Sequence, residues 1–220
     1  MTPDLVIFDC YGVLIDSEMI YARVDADELT AAGCAITPED VVRRFAGHTT
    51  ADMLRILGTE SGIDLSTDFA AMLREKVEAA LKAELGPVVG IDALLETMHM
   101  PRCVASNTPL ERLRWCLAHT GLLRHFEPNI FSASQVARPK PAPDLFLHAA
   151  AQFGASPGRC LVIEDSVTGV RAARAAGMPA LGLLAGSHCW PELGDQLIAA
   201  GATGIARSCD EVAGRLSDGR

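Results

Sequence analysis

The sequence predicts an α/β protein, a doubly wound parallel sheet interrupted early by an inserted helical cap domain. Three observations carry that reading. Leu5–Phe8, Cys103–Ala105 and Cys160–Ile163 are short, continuously apolar runs of the kind found in strands buried on both faces. From Arg102 onward such runs alternate with helical patterns, the signature of parallel β-α-β units. Between the first run and the rest lies a long helical block with no convincing strand. The expected division is therefore an α/β core of residues 1–16 and 87–220, with residues 17–86 as the cap.

The first strand, Leu5–Phe8, ends at Asp9, and Gly12 follows three residues later as a turn signal. After Ser17-Glu18 the pattern becomes helical. Tyr21–Ala32 is amphipathic and stops at Gly33, and Thr37-Pro38-Glu39-Asp40 resembles a capping box with proline at the first helical position. Ser66 or Thr67 can cap a helix whose apolar stripe runs Phe69, Leu73, Val77, Leu81, Leu85 and closes at Gly86-Pro87. Ile91–Met98 is a short helix returning to the sheet.

In the second half, Cys103–Ala105 ends in Ser106-Asn107-Thr108. There Thr108, Pro109 and Glu111 stand at N-cap, N1 and N3 spacing of a helix reaching about His119. Asn129–Ser132 reads as a weak strand, and Pro143 opens a helix through Phe153. Cys160–Ile163 is followed by Glu164-Asp165-Ser166 and a helix over Thr168–Ala176. Pro179–Leu184, a helix near Glu192–Ala200, a strand near Thr203–Ala206 and a last helix from Asp210 complete the pattern. Trp115 and Trp190 fall on helices as packing residues. His99, His119, His125, His148 and His188 have no metal-ligand spacing and read as structural.

Composition narrows the function. A formal net charge of -9 argues against a nucleic-acid or acidic-membrane surface, where a basic stripe is expected. Seven dispersed cysteines without a C-x-x-C pair read as reduced thiols of a cytoplasmic protein. The start of the chain has no export signal, and no apolar run approaches the roughly 18 residues of a membrane span. A small-molecule site and a monomer are the expectations.

Three strand ends carry polar groups: Asp9, Ser106-Asn107 and Glu164-Asp165. In a parallel sheet these carboxyl ends converge at one edge. Between the second and third lies Arg138-Pro139-Lys140-Pro141-Ala142-Pro143-Asp144, a proline-stiffened loop that presents Lys140, with Asp144 to cap or orient it. Alone, Asp9 would be a turn residue, Lys140 a solvated loop lysine and Glu164-Asp165 a capping pair. Together they suggest a phosphoryl-transfer site. Carboxylates about 5 Å apart repel by roughly 3 kcal/mol per pair at an effective dielectric near 20, so the cluster calls for a cation. Hard oxygens beside a phosphate suit Mg²⁺. Ser106, Asn107 and the helix N-terminus behind them can donate to phosphoryl oxygens, and Lys140 adds positive charge. An aspartate in such a site can attack phosphorus.

These segments resemble the haloacid dehalogenase superfamily over essentially the whole chain. The likeness rests on Phe8-Asp9-x-x-Gly12-Val13-Leu14-x-Asp16-Ser17-Glu18, Ser106-Asn107, Lys140-Pro141-x-Pro143-Asp144-x-Phe146 and Glu164-Asp165-Ser166-x-x-Gly169. The resemblance is to its β-phosphoglucomutase and phosphoglycolate phosphatase branch, which has a Rossmann-like core and a helical cap. It implies Asp9 as the nucleophile that forms an aspartyl phosphate, with Ser106, Asn107 and Lys140 as phosphate and charge-stabilising groups. It places Mg²⁺ on Asp9, the Tyr11 backbone carbonyl, Glu164 and Asp165, and a small sugar phosphate or sugar-acid phosphate as substrate. Asp16 would help hold the hinge into the cap.

One departure bears on mechanism. Phosphatases of this branch carry a second aspartate two residues after the nucleophile, as proton donor and later base. Here Tyr11 stands there. With a reference pKa of about 10, a tyrosine can give a proton at pH 7 but is ionised in only roughly one molecule in a thousand to accept one. Slow turnover or a long-lived phosphoaspartate is the consequence. The superfamily's metal-independent 2-haloacid dehalogenases resemble Asp-x-Tyr-Gly at this motif, which makes them the rival reading, although their later segment resembles Ser-x-Asn rather than Glu-Asp. A phosphometabolite-binding or phosphorylatable module without turnover is the non-enzymatic alternative. Mutase activity is less favoured, because the cap positions expected to hold a His and an Arg fall near Tyr21 and Thr50. In the cap, Arg43–Thr50, with Gly47 for a turn and His48, Thr49 and Thr50 as contacts, is the candidate substrate-reading loop.

Overall fold

The computed structural model describes residues 2–45, 48–65 and 67–218. The chain runs β1 (Leu5–Phe8), β2 (Ile15–Asp16), α1 (Glu18–Ala31), α2 (Pro38–Phe45), α3 (Thr50–Ser61), α4 (Thr67–Glu84), β3 (Gly86–Pro87) and α5 (Ile91–Thr97). It continues with β4 (Arg102–Ser106), α6 (Leu110–His119), β5 (Ile130–Ser132), α7 (Asp144–Gln152), β6 (Cys160–Glu164), α8 (Val167–Ala175), β7 (Ala180–Leu183), α9 (Leu193–Ala200), β8 (Gly204–Ala206) and α10 (Cys209–Asp218). Contacts divide it into two compact units, one holding residues up to Asp16 and from Gly86 onward, the other Ser17–Leu85.

The first unit is a six-stranded parallel sheet in the order β5-β4-β1-β6-β7-β8. All four residues of β1 are fully buried, as a continuous apolar run in the middle of a parallel sheet must be. The chain builds outward from β1 through β4 to β5, then crosses back to β6 on the other side. That reversal puts the switch point of the sheet at the carboxyl end of β1. One core cluster joins strand residues Leu5, Ile7, Cys103 and Val162 to Leu145, Phe146 and Ala149 of α7 and Ala172 and Ala173 of α8.

Asp16 and Gly86 are Cα partners in the two-residue antiparallel ladder of β2 and β3, so Gly86, placed with the helical block by sequence, pairs within the sheet unit. The Asp16 carboxylate also accepts from the backbone N–H and hydroxyl of Ser187. All seven cysteines are free thiols, six of them buried.

In the helical unit α1 packs on α2 and α4. The expected stripe of α4 is buried at Leu73, Val77, Leu81 and Leu85, and Phe69 is half-buried. Thr37 caps α2, accepting from Asp40 N–H at 3.1 Å while its own N–H meets the Asp40 carboxylate. Ser66, the alternative cap of α4, and Gly47, the expected turn, lie outside the described residues. No helix among the described residues is long and apolar enough to cross a membrane.

Several helix starts differ from the sequence reading. Helix α6 opens at Leu110, with Pro109 as its N-cap at ψ 141°. Thr108 cannot join it, because its carbonyl accepts from the Ser132 hydroxyl and its N–H donates to Ser106. Pro143 is likewise the N-cap of α7. Trp190 precedes α9 in a loop, half-buried against the core.

Candidate active site

The register builds the site. Phe8 is paired with Val104 on one side and Ile163 on the other. One residue further on, Asp9 and Glu164 leave neighbouring strands side by side, with Ser106 two residues beyond Val104. Asp9, Glu164 and Asp165 each offer a carboxylate oxygen, and these oxygens lie within 4.8 Å of one another.

Lys140 enters this cluster almost wholly buried. Its Nζ donates to Asp9 Oδ1 at 2.6 Å and Glu164 Oε1 at 2.8 Å, and stands 4.6 Å from the centre of the Phe146 ring. Asn107 fixes the loop that delivers it: Oδ1 accepts from Lys140 N–H at 2.9 Å and Nδ2 donates to Lys140 C=O at 3.1 Å. The Asn107 side chain thus holds Lys140. Arg138 and Asp144 close the same loop as a two-bond ion pair. Glu164 has both oxygens engaged, because Oε2 accepts from the backbone N–H and hydroxyl of Ser166. Ser166 in turn caps α8 by accepting from Gly169 N–H at 3.0 Å. Ser106, nearly buried, accepts from Thr108 N–H at 3.3 Å, which leaves its O–H to donate.

The electrostatics follow from burial. Desolvation pushes the Asp9 carboxyl up to about 8; Lys140 pulls it down, while Glu164 and Asp165 add to the rise. Burial alone would lower the Lys140 ammonium, but Asp9 and Glu164 outweigh it and hold its pKa above the ordinary lysine value. Three carboxylates around one ammonium leave room for further positive charge. An all-oxygen donor set of this compactness fits a hard divalent cation.

Tyr11 turns its hydroxyl to the Cys116 sulfur in α6, at 3.3 Å. Gly12 takes φ +76°, and its N–H donates to Ile15 C=O, which closes the turn after β1. Sequence reasoning took His188 as a structural residue with no link to the site. Its Nε2 stands 2.9 Å from Asp165 Oδ2, and both side chains are buried. Burial lowers the imidazole pKa, but the hydrogen bonds and charge interactions with Asp165 and Cys189 together outweigh it and raise the group to about 11. The only sequence signal was position, in the loop after the strand next to β6. His48, Thr49 and Thr50 belong to the helical unit. There Thr49 caps α3 by accepting from Asp52 N–H at 3.1 Å, Thr50 is the first residue of that helix, and the exposed His48 meets the Phe45 ring edge-on.

The sheet and the carboxylate cluster at its switch point are those of an α/β protein with a candidate site beyond the end of the central strand. Residues 3–177 match the haloacid dehalogenase-like hydrolases, and the chain belongs to that family. It is 32% identical over 189 residues to 6-phosphogluconate phosphatase of Escherichia coli, covering 86% of each chain. Among solved structures it is similar to a conserved haloacid dehalogenase-like protein of unknown function from Agrobacterium tumefaciens, with 40% identity, TM-score 0.92 and coverage of 98% of both chains. It also matches a haloacid dehalogenase family hydrolase from Deinococcus radiodurans with bound phosphate and sodium, at 32% identity and TM-score 0.90, covering 99% of this chain and 96% of that one. Within the family this chain stands with the phosphoric monoester hydrolases.

Proposed function

We propose that the protein is a Mg²⁺-dependent phosphatase acting on a small sugar phosphate or sugar-acid phosphate through an aspartyl phosphate on Asp9. The observation that carries this is the buried Lys140 ammonium bridging Asp9 and Glu164 inside a cluster of three carboxylates. Support comes from the bound phosphate of the Deinococcus relative and the sugar-acid phosphate named for the Escherichia coli one.

The Asp9 carboxylate attacks phosphorus, the bond from phosphorus to the ester oxygen breaks, and the departing alkoxide takes a proton. Water then attacks the phosphorus of the acyl phosphate, which releases phosphate and restores Asp9. Lys140 offsets charge on the phosphoryl oxygens, and the Ser106 hydroxyl donates to one of them. Mg²⁺, held by Asp9, Asp165, Glu164 and the Tyr11 backbone carbonyl, would neutralise the phosphoryl charge. Tyr11 can protonate the leaving oxygen but is a poor base for the second step, so hydrolysis of the intermediate limits turnover. Residues 17–85 act as the cap, with His48, Thr49 and Thr50 as the residues to test for selectivity, in a cytoplasmic monomer.

Tyr11 also favours a second reading, 2-haloacid dehalogenation, in which halide leaves without a proton. One screen separates the two: phosphate release from a panel of sugar phosphates with and without Mg²⁺, beside chloride release from 2-chloropropionate in EDTA. Mg²⁺-dependent phosphate release that is lost in Asp9→Asn is the expected result. Chloride release in EDTA without phosphate release overturns it.

A further inference from the structure

We infer that His188 is a positioning residue that fixes the Asp165 carboxylate for cation binding; this rests on the reading that the carboxylate cluster holds a divalent metal. The hydrogen bond from Nε2 to Asp165 Oδ2, at 2.9 Å, engages one oxygen of a carboxylate that belongs to the cluster. Both side chains are more than nine-tenths buried, so the bond is made without competition from solvent.

The imidazole occupies a slot that two loops keep clear. A Cβ on Gly12 would lie 1.9 Å from Asp165 Oδ2 and 2.7 Å from His188 Cε1. A Cβ on Gly186 would lie 2.7 Å from His188 Nδ1 and 3.0 Å from the Gly12 carbonyl oxygen. Glycine at both positions is therefore what leaves room for the Cε1–Nδ1 edge of the ring. The loop itself is tied down, because Ser187 donates through its N–H and hydroxyl to Asp16. Nδ1 is buried with no hydrogen-bond partner among the described residues. Nε2 meets Asp165 at 2.9 Å and the Cys189 sulfur at the longer distance of 3.9 Å, so the carboxylate is its stronger partner. A histidine with one nitrogen on a carboxylate resembles the outer partners that orient metal ligands, whose loss typically lowers metal affinity about 10- to 100-fold.

The test compares Mn²⁺ affinity, read by electron paramagnetic resonance at fixed pH, in wild type, His188→Leu and His188→Gln. Leucine fills the slot without a donor; glutamine restores an N–H near the Nε2 position. The expected result is binding weakened about 10- to 100-fold in His188→Leu and returned close to wild type in His188→Gln. Wild-type affinity in a folded His188→Leu overturns the inference, as does a glutamine variant no better than leucine. A purely structural histidine would alter melting temperature in both variants without this split. If the leucine variant does not fold, Gly186→Ala takes its place: it displaces the ring and is expected to weaken Mn²⁺ binding, and unchanged affinity overturns the inference. Wild-type protein that binds no Mn²⁺ overturns the metal reading itself, and the inference with it.

Discussion

Replacing Gly169 by alanine sets two effects of opposite sign against each other. Helix propensity alone favours the change: alanine in a helix interior is better than glycine by about 1 kcal/mol, and Gly169 lies within α8. The structure points the other way. A Cβ there would stand 1.7 Å from Glu164 Oε1 and 2.3 Å from Oε2, so the carboxylate must move. A surface glutamate would swing aside at little cost. Glu164 is 1% exposed and is held by Lys140 Nζ and by the N–H and hydroxyl of Ser166. Displacing it disrupts a buried ion pair, a loss of about 3–5 kcal/mol. The burial effect wins, leaving a net destabilisation of about 2–4 kcal/mol. At roughly 2–4 °C per kcal/mol for a chain of this size, the melting temperature should fall by about 5–15 °C. Urea denaturation with an unchanged m-value would attribute the fall to the native state. A Gly169→Ala protein melting at or above wild type would refute the reasoning, because it would mean that Glu164 is not anchored against the helix.

Two further outcomes follow from the site. Tyr11→Asp supplies the missing base and should raise steady-state phosphatase turnover about 10²- to 10⁴-fold; an unchanged rate would show that proton transfer at this position does not limit the reaction. In the metal-free protein the Asp9 carboxyl is pushed up to about 8, so it is protonated below that pH and a cation must displace the proton. Mg²⁺ affinity measured by calorimetry should therefore rise with pH by up to about tenfold per unit from pH 6 and level off above about 8, while a flat profile would contradict the raised value.

The sheet was legible because β1 and β6 are unbroken apolar runs, which periodicity identifies, and because acids end both of them. Lys140 was legible through the prolines around it. The partners that hold these groups were not. Asn107 reads equally well as a phosphate donor and as the clamp on the Lys140 backbone, and only the approach of two chain segments decides. His188 lies 23 residues from Asp165 in sequence; it meets that acid because β7 lies beside β6, a neighbourhood set by strand order. Thr108 had every local mark of a helix cap, yet Ser132, from the neighbouring strand, takes its carbonyl. Local pattern gives the element, and the competing long-range hydrogen bond decides where it begins.

The two-residue ladder of β2 and β3 has a consequence for how freely this protein can vary. Because Asp16 and Gly86 are Cα partners, the chain leaves the sheet unit and returns to it at one point, already closed. Closing a flexible loop costs only about 0.6 kcal/mol more for each doubling of its length. The sheet is therefore nearly indifferent to how many residues lie between those two positions. The insertion can lengthen, shorten or be exchanged while Asp9, Lys140 and Glu164 keep their places in the sheet unit. A short turn joining Asp16 to Gly86 would be the limiting case of that freedom.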